Sequence, residues 1–374
     1  MVHSVSLVIF EGGAEDGQLE QDMRYARQGI VLDQLVKAQN AGFARIILCT
    51  PYDSLAQAAA MLDVPVEVVS TDITSPFHFG RLLRDVVREK QLERVLYMGG
   101  AAAPLLSSSE LLYLAELLAQ NENVVIANNY YSADIVGFNP GTALDRISLP
   151  DIDNVLALAL VHEASLRLIP LQRSLGLSFD VDTPSDLLIL AVHPDTGPYT
   201  REALASLDLD YARHDSIKTL LGDPHGELVL FGRIGAQLFD YLDNHTRCRI
   251  RLFSEERGMK ALGRDRRGEV VSLVGRLIEA LGYVGFFEFL AQFCHGAVLD
   301  TRVLFEHFGW KLSQADRFAS DIGALDLISH PGLRDFTAAA FNASIPVLLG
   351  GHSLVTGGMW ALIDAGNREQ SYRG

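Results

Sequence analysis

Short β-rich runs alternate with helical patterns through the first half of this chain, and few architectures accommodate that order. Ser4–Phe10 reads as a strand and runs at once into Glu11-Gly12-Gly13. Gly29–Ala41 has helical spacing, with Ile30, Leu32, Leu35, Val36 and Ala38 on one broad apolar face. Arg45–Thr50 is the next strand and stops at Pro51. Ser54–Leu62 is helical, Val64–Val69 a third strand and Phe79–Lys90 an amphipathic helix. Arg94–Met98 is a fourth strand ending in Gly99-Gly100. Ser107–Ala119 is a helix whose Ser107 and Glu110 are spaced for a capping box, and Asn123–Ala127 is a fifth strand. A β-α-β-α order predicts a mostly parallel sheet flanked by helices. Such sheets bind ligands at the carboxyl ends of their strands, where the glycine pairs fall.

At 374 residues the chain is long enough for two domains. A seam near residue 195 follows from Asp180–Pro184, the apolar run Leu187–Val192 and the turn-rich His193–Pro198. The expected division is an α/β domain over 1–195 and an α-rich mixed domain over 196–374. In the latter, Glu227–Phe231, Arg249–Phe253 and Ile345–Leu349 read as strands. Its helices fall at Val271–Leu281, Phe286–Phe293, Arg302–Phe308 and Asp335–Ala343, with a last one near Gly358–Ala365. The pattern gives this second part no nameable fold.

A net charge of −16 argues against nonspecific nucleic-acid binding, which needs a basic face. Three scattered cysteines, Cys49, Cys248 and Cys294, suit buried thiols better than disulfides. Neither a signal-peptide pattern nor an apolar run long enough to span a bilayer is found, so a cytoplasmic protein without a membrane partner is expected. The sequence does not fix the oligomeric state, and a homo-oligomer is compatible with it.

Four segments together carry a family resemblance: the opening strand with its glycine loop and RIILCT, then Gly99–Glu110 (GGAAAPLLSSSE), Asn128–Phe138 (NNYYSADIVGF) and Phe179–Asp186 (FDVDTPSD). In order and spacing the first half resembles the MobA-like and CofC-like NTP transferases, nucleotidyltransferases of the GT-A-like class. The resemblance implies transfer of a nucleotide from a nucleoside triphosphate to a phosphorylated or acidic small-molecule acceptor, with Mg²⁺ as cofactor. It further implies Gly12, Gly13, Arg24, Arg27, Gly99 and Gly100 around the nucleotide and Asn128, Asn129, Ser132 and Asp134 around the acceptor. Asp180 and Asp182 would be the metal-binding, catalytic carboxylates.

Two departures cut against this pattern. Glu11–Gly17 (EGGAEDG) holds three acids, Glu11, Glu15 and Asp16, where the family loop carries a basic residue, and acids repel a triphosphate unless a cation intervenes. Ala101–Ala103 stand where a metal-binding Asp is expected, and methyl groups ligate no magnesium.

Each segment also has a plainer reading. The acidic loop can be a solvated turn, Gly99–Pro104 a loop packed tightly on a helix, and Asn128–Asp134 a polar turn. Asp182-Thr183-Pro184 is a strong helix start in any case. In the second half, Ser254–Arg264 with Arg266 and Arg267 is either an anion site or a set of solvated ion pairs. Gly232–Gly235 opens a helix after a strand, and Gly350–Gly358 (GGHSLVTGG) lacks the spacing of a nucleophile elbow. Two functions therefore stand: a divergent nucleotidyltransferase, or a non-catalytic ligand-binding or interaction protein on the same kind of fold.

Overall fold

The computed structural model describes residues 4–13, 17–71, 77–130, 132–260 and 262–373. The chain divides into two compact units. The first comprises Met1–Ala14, Arg27–Ser178 and Gly197–Glu202, and the second Glu15–Ala26, Phe179–Thr196 and Ala203–Gly374.

In the first unit the elements follow the order expected of a crossover-built sheet. They are β1 (Val5–Phe10), α1 (Gln18–Ala41, its first turns counted with the second unit), β2 (Arg45–Thr50), α2 (Asp53–Ala60), β3 (Val66–Ser70), α3 (Phe79–Glu89) and β4 (Arg94–Gly99). Then come α4 (Ser108–Gln120), β5 (Val124–Ala127), β6 (Ile135–Asn139), α5 (Leu156–His162), β7 (Arg167–Pro170) and α6 (Leu175–Ser178). The seven strands lie in the order β3-β2-β1-β4-β6-β5-β7. All neighbours run parallel except β6, which is antiparallel to both β4 and β5.

The sheet carries a core on each face because its strands alternate along their length. Leu7, Ile9, Ile46, Leu48, Leu96 and Met98 enter one core with α1 and α4. Their neighbours Val8, Phe10, Ile47, Cys49, Val95 and Tyr97 enter the other with α3 and α5. The helix start expected at Ser107 is present: Ser107 Oγ accepts from Glu110 N at 3.2 Å, and Glu110 Oε2 accepts from Ser107 N at 2.9 Å.

The second unit contains α7 (Pro184–Val192), the end of α8 (Pro198–Ala205), α9 (Ala212–Leu221), β8 (Glu227–Gly232), α10 (Ala236–His245), β9 (Arg249–Ser254) and α11 (Leu273–Leu290). After these come β10 (Gly296–Asp300), α12 (Thr301–His307), α13 (Gln314–Ile322), α14 (Pro331–Phe341), β11 (Val347–Gly350) and, through a π-helical turn at Leu354–Gly358, α15 (Met359–Arg373). It is α-rich as expected, and its strands form one parallel sheet in the order β11-β10-β8-β9. Val229, Phe231, Ala297, Leu299, Val347 and Leu349 share a core with α11 and α14, and Leu19 from the early turns of α1 packs against the same core. Among the described residues no helix is long and apolar enough to cross a membrane.

Candidate functional site

The two glycine pairs of the first unit stand side by side. β1 and β4 are neighbours in register, with Phe10 opposite Gly99, and Gly100 N donates to Phe10 O at 2.8 Å. Glu11 follows directly and is only 3% exposed. Its carboxylate accepts from Arg27 Nη2 at 3.0 Å. Glu11 is packed so close to Gly100 that a Cβ on Gly100 would stand 2.8 Å from Glu11 Cβ. Gly12 and Gly13 are exposed, and Tyr52 Oη donates to Gly13 O at 2.9 Å.

This arrangement revises the electrostatics drawn from sequence. Glu11 is an internal carboxylate balanced by Arg27, not an acid facing solvent, and Arg27 is engaged by Glu11 at the base of the loop. Glu15 and Asp16 lie outside the described residues. Arg24 is half-buried on the part of α1 counted with the second unit.

Behind the β4 turn, Gly99 N donates to Asp134 O at 3.0 Å, and Tyr97 Oη donates to Asp153 Oδ2 at 2.9 Å. Burial, then the Asp153 carboxylate, then Asp134 and Glu11 push the Tyr97 phenol well above its usual range. Tyr97 is therefore a neutral donor, braced edge-on by Phe10 and Phe79 at centroid distances of 5.3 and 4.9 Å. Asp153 escaped the sequence reading, because the only signal for it was an acid in the polar turn Pro150–Asn154, far from any glycine loop.

Gly99–Pro104 is packed against α1: Ala101, Ala102 and Ala103 are buried, Gln34 Nε2 donates to Ala102 O, and Lys37 Nζ donates to Pro104 O at 2.8 Å. The Asn128 side chain organises its own loop. Its Oδ1 accepts from Asp134 N and Ile135 N, both at 3.2 Å, and its Nδ2 donates to Leu177 O at 3.3 Å. Asn129 and Ser132 are exposed, with Ser132 Oγ accepting from Asn154 Nδ2 at 2.8 Å, and Asp134 is half-buried. The stretch Asn128–Phe138, read as a substrate loop, is a loop only at its start; from Ile135 it is the antiparallel strand β6.

Asp180, Asp182 and Asp186 belong to the second unit, at the carboxyl ends of its strands. Thr183 is the N-cap of α7 and Pro184 its first residue, as expected. Asp182 is exposed and Asp180 half-buried, whereas Asp186 is wholly buried. Asp186 Oδ2 accepts from Asp182 N (3.1 Å), Thr183 N (2.8 Å), Thr183 Oγ1 (2.9 Å) and Ser353 Oγ (2.7 Å), while Oδ1 has no hydrogen-bond partner. Burial first, and the neighbouring Asp182 second, push its carboxyl up to about 7.

Two buried ion pairs stand at the same strand ends. Arg233 Nε donates to Asp300 Oδ2 at 2.6 Å, and Arg302 grips both oxygens of Asp321 at 2.6 Å. Burial raises both carboxyls. At Asp300 the Arg233 guanidinium outweighs it and holds the acid below its usual range, whereas at Asp321 burial prevails over Arg302. Ser353 is buried and bonded to Asp186, so the GGHS loop presents no nucleophile. Within the basic patch Arg264 pairs with Glu256 and Arg267 with Glu269.

Among the described residues no three His, Cys, Asp or Glu side chains are grouped to hold a metal ion. Together with the buried alanines at Ala101–Ala103, these described residues do not form a protein cage for magnesium.

No family model matches the chain, and no curated protein matches it. Solved structures similar to about half of it include a nucleotidyl transferase from Methanothermobacter (20% identity, 50% of this chain and 94% of that one, TM-score 0.38). A cytidylyltransferase from Leptospira borgpetersenii is similar at 14% identity over 54% of this chain and 93% of its own, with TM-score 0.38. A Mycobacterium tuberculosis protein solved in complex with manganese is similar at 18% identity over 54% and 98%, with TM-score 0.33.

Proposed function

We propose that the first unit binds a nucleotide at the carboxyl ends of β1 and β4, and that the chain transfers a nucleotide from a nucleoside triphosphate to a phosphorylated or acidic small molecule. The observation that carries this reading is the pairing of Gly12-Gly13 with Gly99-Gly100 on adjacent parallel strands, over a carboxylate whose charge Arg27 balances. Exposed glycine backbone at a strand end admits close approach of a phosphate and offers N–H donors to it. In this reading the chain contributes positioning and electrostatics rather than covalent chemistry, with the loop from Asn128 to Asp134 facing the acceptor.

Titration calorimetry of GTP, CTP, ATP and UTP, each with and without Mg²⁺, tests the proposal. Binding of at least one nucleotide is expected. No binding of any nucleotide under either condition would instead favour a non-catalytic ligand-binding protein, a reading supported by the buried alanines at Ala101–Ala103.

A further inference from the structure

The parallel sheet of the second unit reverses its direction of winding between β8 and β10. From β8 the chain passes through α10 to β9 on one side, then crosses back through α11 to β10 on the other. Val303 and Leu304 of α12 enter the core that Phe231 and Leu299 share, whereas α10 packs on α15. The connections leaving β8 and β10 therefore part to opposite faces, and open parallel sheets take their ligands at the carboxyl ends of strands beside such a divide.

The side chains at this edge form one connected cluster. Asp300 accepts from the Arg233 guanidinium and from Arg302 N, the latter at 3.3 Å. The loop after β11 reaches across to them: His352 Nε2 bonds Arg233 O at 3.1 Å. A carbonyl only accepts, so Nε2 carries the proton. The protein packed round the ring and then the Arg233 charge lower its pKa, which leaves Nδ1 of a neutral ring as an acceptor. A Cβ on Gly351 would stand 3.9 Å from Arg302 Nε, so the same loop also borders Arg302. Behind it Asp186 holds Ser353, while its fully buried Oδ1 has no partner. Arg317 lies one turn before Asp321 on α13, on the face turned to Arg302. It is half-buried, and among the described residues its guanidinium has no ion pair. Asp321 is gripped by Arg302, and Glu306 attracts Arg317 only from beyond pairing distance. Burial first, and the Arg302 charge second, lower the pKa of Arg317. A guanidinium held beside another, partly out of water, is unfavourable until an anion joins it.

We propose that this edge of the second unit binds a small phosphorylated or carboxylated molecule, its oxyanion paired with Arg317 and its other polar groups lying along Gly351 and His352. The inference does not rest on the nucleotide reading of the first unit. Thermal unfolding and titration calorimetry of the full chain at fixed ionic strength test it, with inorganic phosphate and malonate as probes and chloride as the control. At least one probe should raise the melting temperature and bind with a Kd of about 1 mM or tighter. A response to phosphate alone assigns a phosphorylated ligand, a response to malonate alone a carboxylated one, and a response to both an oxyanion read by its charge. Arg317→Met keeps the apolar stem and removes the guanidinium. It should weaken that binding at least about tenfold. Its melting temperature in chloride should be no lower than that of the wild type, because without an anion the fold gains nothing from this charge. Phosphate held by the glycine pairs of the first unit would be indifferent to the substitution. Failure of both probes to bind at about 10 mM overturns the inference. So does a variant that binds as tightly as the wild type, or one that melts lower in chloride, the mark of a purely structural arginine.

Discussion

Asp186 sits in the second unit as an acid that should resist ionisation, and replacing it by asparagine isolates that effect. Its carboxyl moves from 3.8 to about 7 on folding, a rise of about three units. The folded chain therefore keeps a proton that the unfolded chain releases between those values. Stability that is fully present below about pH 4 is lost as the pH rises to about 7, and the loss levels off above it. At about 1.4 kcal/mol per unit the whole loss is on the order of 4 kcal/mol. Asparagine resembles the protonated acid and does not titrate. It keeps one oxygen to accept from Asp182 N, Thr183 N, Thr183 Oγ1 and Ser353 Oγ. Urea unfolding of wild type and Asp186→Asn should give matching stabilities near pH 4. By pH 8 the variant should be the more stable by up to about 4 kcal/mol. A stability difference that stays constant from pH 4 to pH 8 would refute the argument that burial keeps this proton in place.

Gly100→Ala should destabilise the first unit by about 1–3 kcal/mol, because the new methyl displaces Glu11 from its place beside Arg27; thermal unfolding reads the change, and wild-type stability would contradict it. Ser107→Ala should cost about 1 kcal/mol by removing the N-cap of α4, measurable as a lower urea midpoint at unchanged slope.

Most strands that sequence located within a residue are buried on both faces, although β9, largely exposed, was located equally well. RIILCT at Arg45–Thr50 was read to the residue, and Arg94–Met98 and Glu227–Phe231 each fell one residue short of β4 and β8. Continuous apolar runs ending at a proline or glycine leave little ambiguity. β6, β7 and β10 were missed, the first and last for opposite reasons. Ile135–Asn139 follows a polar turn and contains Gly137, so it read as more of the loop. Gly296–Asp300 is five residues long and passes directly into α12, so its apolar side chains merged with the helical pattern around it. Without β10 the parallel sheet of the second unit could not be assembled from sequence.

The site shows the same division. That both glycine pairs fall at the carboxyl ends of strands was legible, because parallel strands turn those ends to one edge of the sheet. The Glu11–Arg27 pair and the Tyr97–Asp153 bond were not, since neither partner's spacing announces the other. A buried Asp186 bonded to a serine 167 residues later is a tertiary fact with no local signature.

The second unit is assembled from three separate stretches of chain, and that has consequences for vectorial synthesis. A ribosome releases Glu15–Ala26 early and Phe179–Thr196 midway, yet the strands they accompany, β8, β10 and β11, emerge only from Glu227 onward. Leu19 waits for the core it packs against, and Asp186 remains in water until Ser353 is made. The nascent first unit can collapse around its own strands while carrying these segments as unsatisfied passengers. Cutting the polypeptide at residue 195 or 202 would freeze that intermediate, so no single scission yields two self-sufficient halves.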